Sequence, residues 1–270
     1  MNLLISVDME GISGVVKWDH VTSTHKEYDR FRKLMTAEAN AAIEGALAGG
    51  ASRVVVNDSH GGMSNMLIEE LNSAAELISG SPKPFGMMQG IGPDVDAVFF
   101  VGYHAAEGTG AAILSHTWSS RAVHEVRLNG QTVGETGINA ALAGSFGAPV
   151  LLVAGDRAVT EEARALLGEI ETVAVKDGVT RSAAQCLHPD VAQERIRQAA
   201  ERALKLTVSP FVLSTPITLR VIFQNALQAD QASLLPDSQR VDGCSVEWTG
   251  EDMPAVYKAF RAMTSLAWTG

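Results

Sequence analysis

Cysteine is nearly missing from this chain: 270 residues include two, Cys186 and Cys244. Their spacing matches no metal-binding pattern, so cysteine-ligated metal is set aside. The pair reads as two buried, reduced thiols, with a single bridge as the alternative. Basic residues are also few, 21 against 31 acidic ones, for a formal net charge of −10. A nucleic-acid surface needs a lysine and arginine cluster that this sequence does not offer. No apolar run approaches the roughly 20 residues of a membrane span. The first residues enter a strand at once, without a basic stretch and an apolar segment behind it. The expectation is a cytoplasmic protein with neither nucleic acid nor membrane as partner. Repeats, linkers and low-complexity tracts are missing too. What remains is ordinary globular material, 46% hydrophobic and 19% charged, long enough for one large α/β domain or two modest ones.

Short apolar runs near Leu3–Ser6, Arg53–Val56, Ala97–Val101 and Val150–Val153 read as buried strands. Between the first two, Phe31, Leu34, Met35, Ala39, Ala42, Ile43, Ala46 and Leu47 recur at helical steps until Gly49-Gly50 stops them. Strand, helix and strand at this spacing make a βαβ unit and so a parallel sheet. "VHEVRLNGQTVG" alternates about Asn129-Gly130, a β-hairpin signal, and opens onto a helix of small residues, "ETGINAALAGSFG". Beyond about residue 160 come longer strands ("ETVAVKDGVTR", "ITLRVIFQ"), a surface helix ("PDVAQERIRQAAERALKL"), another strand ("RVDGCSVEWTG") and a final amphipathic helix from Pro254 through Val256, Tyr257, Phe260 and Leu266. The expected architecture is α/β. Residues 1–160 form a parallel-sheet domain with helices on both faces, and 161–270 a smaller α+β domain.

The chemistry gathers where the apolar runs stop. Asp8 and Glu10 end the first, His60 follows the second, and His104 follows the third. A parallel sheet delivers such C-terminal ends to one edge, where α/β proteins bind ligands. Asp8 and Glu10 stand two apart, so in extended chain they share a side. Two carboxylates that close repel unless a cation lies between them. Singly, each residue has a plain structural explanation: a helix cap for Asp8, a capped loop for His60, a hydrogen-bonded core histidine for His104, and a helix-dipole acid for Glu135. Asp58 is the expected partner fixing the His60 tautomer. Together, two imidazoles and three carboxylates suit a pair of borderline ions such as Zn²⁺, with Asp8 the natural bridge. Two such ions acidify water and polarise a carbonyl or phosphoryl oxygen, which points to hydrolysis. His116, in "ILSHTW", is not needed to complete the metal set and could shuttle protons. His20, His25, His124 and His188 are assigned to structure or surface.

The blocks "SVDMEG" (6–11), "NDSH" (57–60), "GYHA" (102–105), "SHT" (115–117) and "VGETG" (133–137) resemble, in order and spacing, the D-aminopeptidase (DppA) family of metallopeptidases. "VAGD" (153–156) and "TRSAA" (180–184) extend the resemblance toward the end of the chain. The resemblance implies that Asp8, Glu10, His60, His104 and Glu135 ligate two Zn²⁺ per subunit and that His116 is catalytic. It implies hydrolysis of short peptides with an N-terminal D-residue, such as D-Ala-D-Ala, in a decameric homo-oligomer ring whose sites face an internal channel. The same ligand types would serve a two-metal phosphoesterase, although no arginine or lysine clamp sits beside the motifs. They would also serve a metal-stabilised binding protein, in which His116 would be dispensable.

Overall fold

The computed structural model describes residues 1–268. The four expected runs become β1 (Asn2–Val7), β2 (Arg53–Asp58), β4 (Ala97–Tyr103) and β7 (Val150–Asp156), each reaching further at its C-terminal end than the apolar run itself. With β3 (Ala75–Ile78), β8 (Glu171–Thr180) and β9 (Ala183–Cys186) they form a seven-stranded sheet in the order β3-β2-β1-β4-β7-β8-β9. All neighbours pair parallel except β9, which runs antiparallel to β8. Alternate side chains feed two cores. Ile5, Val7, Phe99 and Val101 pack with α1 (Tyr28–Ala48) and α4 (Pro189–Ala203) on one face. Leu4, Val98 and Phe100 pack on the other with α2 (Glu135–Ser145) and α6 (Met253–Ala267). Helices therefore cover both faces, as expected of strands that are apolar throughout.

A second, antiparallel sheet has the order β11-β12-β10-β5-β6. It joins the hairpin β5 (Val123–Leu128) and β6 (Gln131–Val133) to β10 (Ile217–Phe223), β11 (Gln239–Arg240) and β12 (Ser245–Gly250). The hairpin turns at Asn129 and Gly130, both at positive φ, as the sequence predicts. α5 (Ala226–Ala232) and α6 pack on this sheet.

Three expectations need correction. The sheets do not divide at residue 160. α3 (Arg157–Leu167), capped by Asp156, returns the chain so that β8 adds parallel to β7, while the earlier hairpin pairs with β10. Such long-range pairing leaves no mark in local periodicity. The segment "RVDGCSVEWTG" is not one strand, because Asp242 Oδ1 accepts from the amides of Cys244 and Ser245 and turns it between β11 and β12. Both cysteines are free, as expected, but half-buried rather than buried. Among the described residues, no helix is long and apolar enough to cross a membrane.

Candidate metal centre

The connection after β1 leads to β2 on one side, and that after β4 leads to β7 on the other. Their C-terminal ends therefore open a crevice at the topological switch point. Asp8 and Glu10 leave β1 into it, His104 leaves β4, and His60 follows β2. Glu135 enters from the first turn of α2, and His116 from the segment between β4 and β5. The β1 and β4 ends lie against each other: the Asp8 amide donates to Val101 O at 2.8 Å and the Gly11 amide to Gly102 O at 2.7 Å. Gly102 has φ +71°, and a Cβ there would lie 2.1 Å from Asp8 O. Beneath, Ser6 Oγ, Tyr103 Oη and Asn139 Nδ2 connect at 2.7 and 2.9 Å, and Tyr257 Oη donates to Asn139 Oδ1 at 2.9 Å. That buried chain ties β1, β4, α2 and α6 together.

All six residues singled out in the sequence meet here. A backbone carbonyl accepts from one ring nitrogen of each histidine and sets the orientation of the ring. His60 Nε2–H donates to Val21 O (2.8 Å), His104 Nδ1–H to Ala105 O (3.0 Å), and His116 Nδ1–H to Leu114 O (2.8 Å). Each remaining nitrogen then turns toward the carboxylates. His60 Nδ1 lies 2.9 Å from Glu10 Oε2 and 3.3 Å from Asp8 Oδ1. His104 Nε2 lies 3.4 Å from Asp8 Oδ2 and 3.6 Å from Glu135 Oε2, and His116 Nε2 lies 3.8 Å from Glu135 Oε1. The His104 and His116 rings stack with centroids 4.1 Å apart.

Asp58 does not play the role expected of it. Its carboxylate accepts from the amides of Asn65 (2.5 Å) and Met66 (2.8 Å) and from Asn65 Nδ2 (2.7 Å), which pins the loop carrying His60. The imidazole is fixed by Val21 O instead, a carbonyl 39 residues away that the sequence had no means to indicate.

The donor set fits metal ions. His104 Nε2 is buried and, among the described residues, has no hydrogen-bond partner. Two ligands each about 2.0–2.1 Å from one tetrahedral ion stand about 3.3 Å apart, close to the separations of His104 Nε2 from Asp8 and Glu135. Two overlapping groups satisfy such proximity: Asp8, Glu10 and His104, and His104, Glu135 and His116, with donor atoms within 4.8 Å of one another in each. Asp8 spans the centre, one oxygen toward His60 and the other toward His104.

Burial sets the electrostatics. It pushes the Asp8 carboxyl well above the usual range, and the Glu10 charge adds to the effect. Burial also raises Glu135. It opposes the charged forms of Glu10 and His60 as well, but their mutual attraction outweighs it, holding Glu10 well below and His60 well above their ordinary values. Burial lowers His104 and His116, and His104 lowers His116 further. Glu10 is thus balanced by His60, while Asp8 and Glu135 are held toward their neutral forms, which nearby cations would reverse.

The centre lies in a cleft of about 890 Å³ whose walls include Trp18, Met63, Trp118, Arg121, Arg261 and Trp268. No ligand motif in the sequence includes any of these residues. A signal existed for the last wall: Arg261, Thr264 and Ser265, with Trp268 just past the end of α6, recur at helical spacing along the border of its apolar stripe. Trp118, at φ +66°, donates its amide to Glu135 Oε1 at 2.6 Å, and Trp18 meets the His116 ring edge-on at 5.4 Å.

Comparison with known proteins identifies relatives along the whole chain. A family model described as D-aminopeptidase matches residues 1–262. A D-aminopeptidase of Bacillus subtilis (strain 168) is 39% identical over 270 residues, covering 99% of this chain and 98% of that protein. The solved structure of the Zn-dependent D-aminopeptidase DppA from Bacillus subtilis, described as a self-compartmentalizing protease, superposes with a TM-score of 0.97. It is 38% identical, over 100% of this chain and 99% of that one.

Proposed function

This chain belongs to the D-aminopeptidase family, and from that premise we propose a dinuclear zinc aminopeptidase that removes N-terminal D-residues from short peptides such as D-Ala-D-Ala. Asp8, Glu10, His60, His104 and Glu135 would hold two Zn²⁺. When bound, the ions supply an acidified water and a polarised scissile carbonyl. The protein's own groups supply the rest. The carbonyls of Val21 and Ala105 fix His60 and His104 so that their other ring nitrogens stay aimed inward, His60 Nδ1 at Glu10 and His104 Nε2 at Asp8 and Glu135. His116, with Nδ1–H held by Leu114 O, presents Nε2 to the cleft as a proton acceptor. Its lowered pKa keeps that nitrogen unprotonated near neutrality, ready to take a proton and pass it to the leaving amine. Asp58, fully buried and engaged by its own loop, is not available to receive the substrate's α-amine.

The observation that carries this reading is the buried, unpartnered His104 Nε2 facing two carboxylates. The test is incubation with D-Ala-D-Ala and L-Ala-L-Ala, with and without a chelator, alongside metal analysis per subunit. Cleavage of the D-peptide that is lost on chelation, with close to two zinc ions per subunit, is the expected result. No cleavage of either peptide under any metal load removes the reading. The family match leaves the phosphoesterase alternative without support. A second assignment for His116, as a ligand, is favoured by its grouping with His104 and Glu135, and metal content of a variant decides between the two. The self-compartmentalizing character of the structural neighbour supports assembly into a homo-oligomer, which we take to be a decameric cytoplasmic ring. Light scattering should then return ten times the 28.6 kDa subunit.

A further inference from the structure

One acid behind the metal centre has no part in the chemistry described so far. Glu162, on α3, is half-buried, but its carboxyl is turned inward. Oε2 accepts from the Ala106 amide at 2.9 Å, while Oε1 is enclosed and has no hydrogen-bond partner among the described residues. Burial pushes its pKa up to about 7, Glu135 and Asp156 push the same way, and only the Ala106 amide opposes them. An enclosed carboxylate with no cation beside it is costly to keep charged. Its surroundings are tight. A Cβ on Gly134 would fall 2.6 Å from Oε1 and 3.2 Å from Ala106 Cα. The carboxyl is therefore wedged between the segment that follows His104 and the residue that precedes Glu135. Gly134 is also the N-cap of α2 and offers no side-chain cap, so a negative charge there suits the helix dipole.

The Ala106 amide belongs to the same peptide unit as the Ala105 carbonyl, which accepts from His104 Nδ1–H at 3.0 Å. That peptide is trans, so its oxygen and its amide hydrogen point in opposite directions. Carboxylate, amide, carbonyl and imidazole thus form one line of aligned dipoles. The line ends at His104 Nε2, which faces Asp8 and Glu135. Hydrogen bonds in such a chain polarise one another, the more so where water is excluded. An anion at the amide end makes the carbonyl a stronger acceptor, draws on the Nδ1 proton and leaves Nε2 more basic. Carboxylates act on metal-ligating histidines in this way by direct contact; here one peptide stands between. His60 and His116 have no such relay. Neither the Thr22 amide, in the peptide of Val21 O, nor the Ser115 amide, in the peptide of Leu114 O, meets a carboxylate among the described residues. Resting on the metallopeptidase reading, we propose that Glu162 is a positioning residue of the metal centre, acting on His104 through the Ala105–Ala106 peptide and tightening the hold of that imidazole on zinc. Glu162 itself belongs to neither group of converging donors.

The test is zinc affinity, read by competition with a chromophoric chelator at about pH 8, above the pKa of about 7 to which burial raises Glu162. Glu162→Gln keeps the size of the side chain and an acceptor for the Ala106 amide but removes the charge. It should raise the zinc dissociation constant by about 3–10-fold, less than the 10–100-fold typical of a group bonded directly to a ligand. Zinc stoichiometry at saturation should be unchanged. The visible absorption of the Co²⁺-loaded enzyme should shift as well, because His104 becomes a weaker donor. A purely structural Glu162 predicts wild-type affinity and spectrum in Glu162→Gln and a defect in Glu162→Ala alone, and that result overturns the relay. Glu161, exposed on the same helix, is the control: Glu161→Gln should bind zinc as the wild type does, and a loss equal to that of Glu162→Gln would also overturn it. Should Glu162→Gln fail to fold, Glu162→Ala carries the decision, and wild-type zinc affinity in that variant sinks the proposal. A wild type that cleaves D-Ala-D-Ala beside a Glu162→Gln enzyme of equal zinc affinity removes the role of Glu162 and leaves the peptidase reading intact. A wild type that binds no zinc removes both.

Discussion

Replacing Lys176 by methionine tests how far the metal centre depends on the sheet beneath it. Lys176 lies on β8, is 1% exposed, and donates from Nζ to the carbonyls of Glu10 (2.5 Å), Ile12 (2.8 Å) and Val15 (2.7 Å). These three oxygens fold the loop after β1 around a single ammonium. That ammonium already carries a cost, since burial lowers its pKa from 10.5 to about 8, equivalent to about 3 kcal/mol. Methionine removes this cost and fills much of the same volume. It also leaves three enclosed carbonyls without a donor, at about 1–3 kcal/mol each, or roughly 6 kcal/mol together. The loss of pairing exceeds the relief, and the net destabilisation is about 3 kcal/mol. For a domain of this size that corresponds to a melting temperature lower by roughly 6–12 °C. Glu10 sits at the start of the freed loop, so zinc retention should weaken and kcat should fall by about tenfold or more. Thermal melts of zinc-loaded and stripped protein, zinc analysis after dialysis, and D-Ala-D-Ala turnover measure the three effects. A Lys176→Met protein that melts within about 2 °C of wild type, at full zinc content and activity, would refute the idea that this ammonium organises the Glu10 loop.

Glu38 gives a pH signature. Burial raises its pKa from 4.5 to about 7, with Oε1 accepting from the Ser13 amide at 2.8 Å and Oε2 without a hydrogen-bond partner among the described residues. A folded pKa above the unfolded one means stability that is complete below about 4.5 and lost as pH rises through 7. Glu38→Gln should abolish about 2–3 kcal/mol of that decline, read as urea midpoints at pH 5 and pH 8, and parallel shifts in variant and wild type would contradict the assignment. His116→Ala should lower kcat by about 10²–10⁴ while metal analysis still finds the wild-type zinc content; loss of zinc would make His116 a ligand. Gly102→Ala places a Cβ 2.1 Å from Asp8 O at φ +71°. It should cost more than about 3 kcal/mol and show as insoluble or poorly folded protein, and a normal melt would refute the close approach of β1 and β4.

How much of this was legible in the sequence follows from the range over which each signal acts. A strand buried on both faces is a continuous apolar run, so β1, β2, β4 and β7 announce themselves within five or six residues. Because their ends share an edge, Asp8, Glu10, His60 and His104 could be placed together without knowing any distance. Glu135 and His116 were singled out on weaker ground, since an acid at a helix start and a histidine in a loop have many ordinary explanations, and only the set as a whole gave them a role. What local pattern could not carry was closure across the chain. The hairpin at 123–133 reads as a hairpin, yet only its pairing with β10 decides that it joins the second sheet. Lys176 looks like a surface residue in an alternating strand until three carbonyls some 160 residues earlier in the sequence converge on it. The same holds for Arg261: nothing beside the ligand motifs suggested an arginine, because the one that lines their cleft arrives on the last helix. Ligand chemistry here is written at strand ends, where the motif is short and its placement follows from topology alone. The far wall of the cleft is instead made by elements brought from elsewhere, α6 among them, and their place in it becomes visible only once the chain has closed.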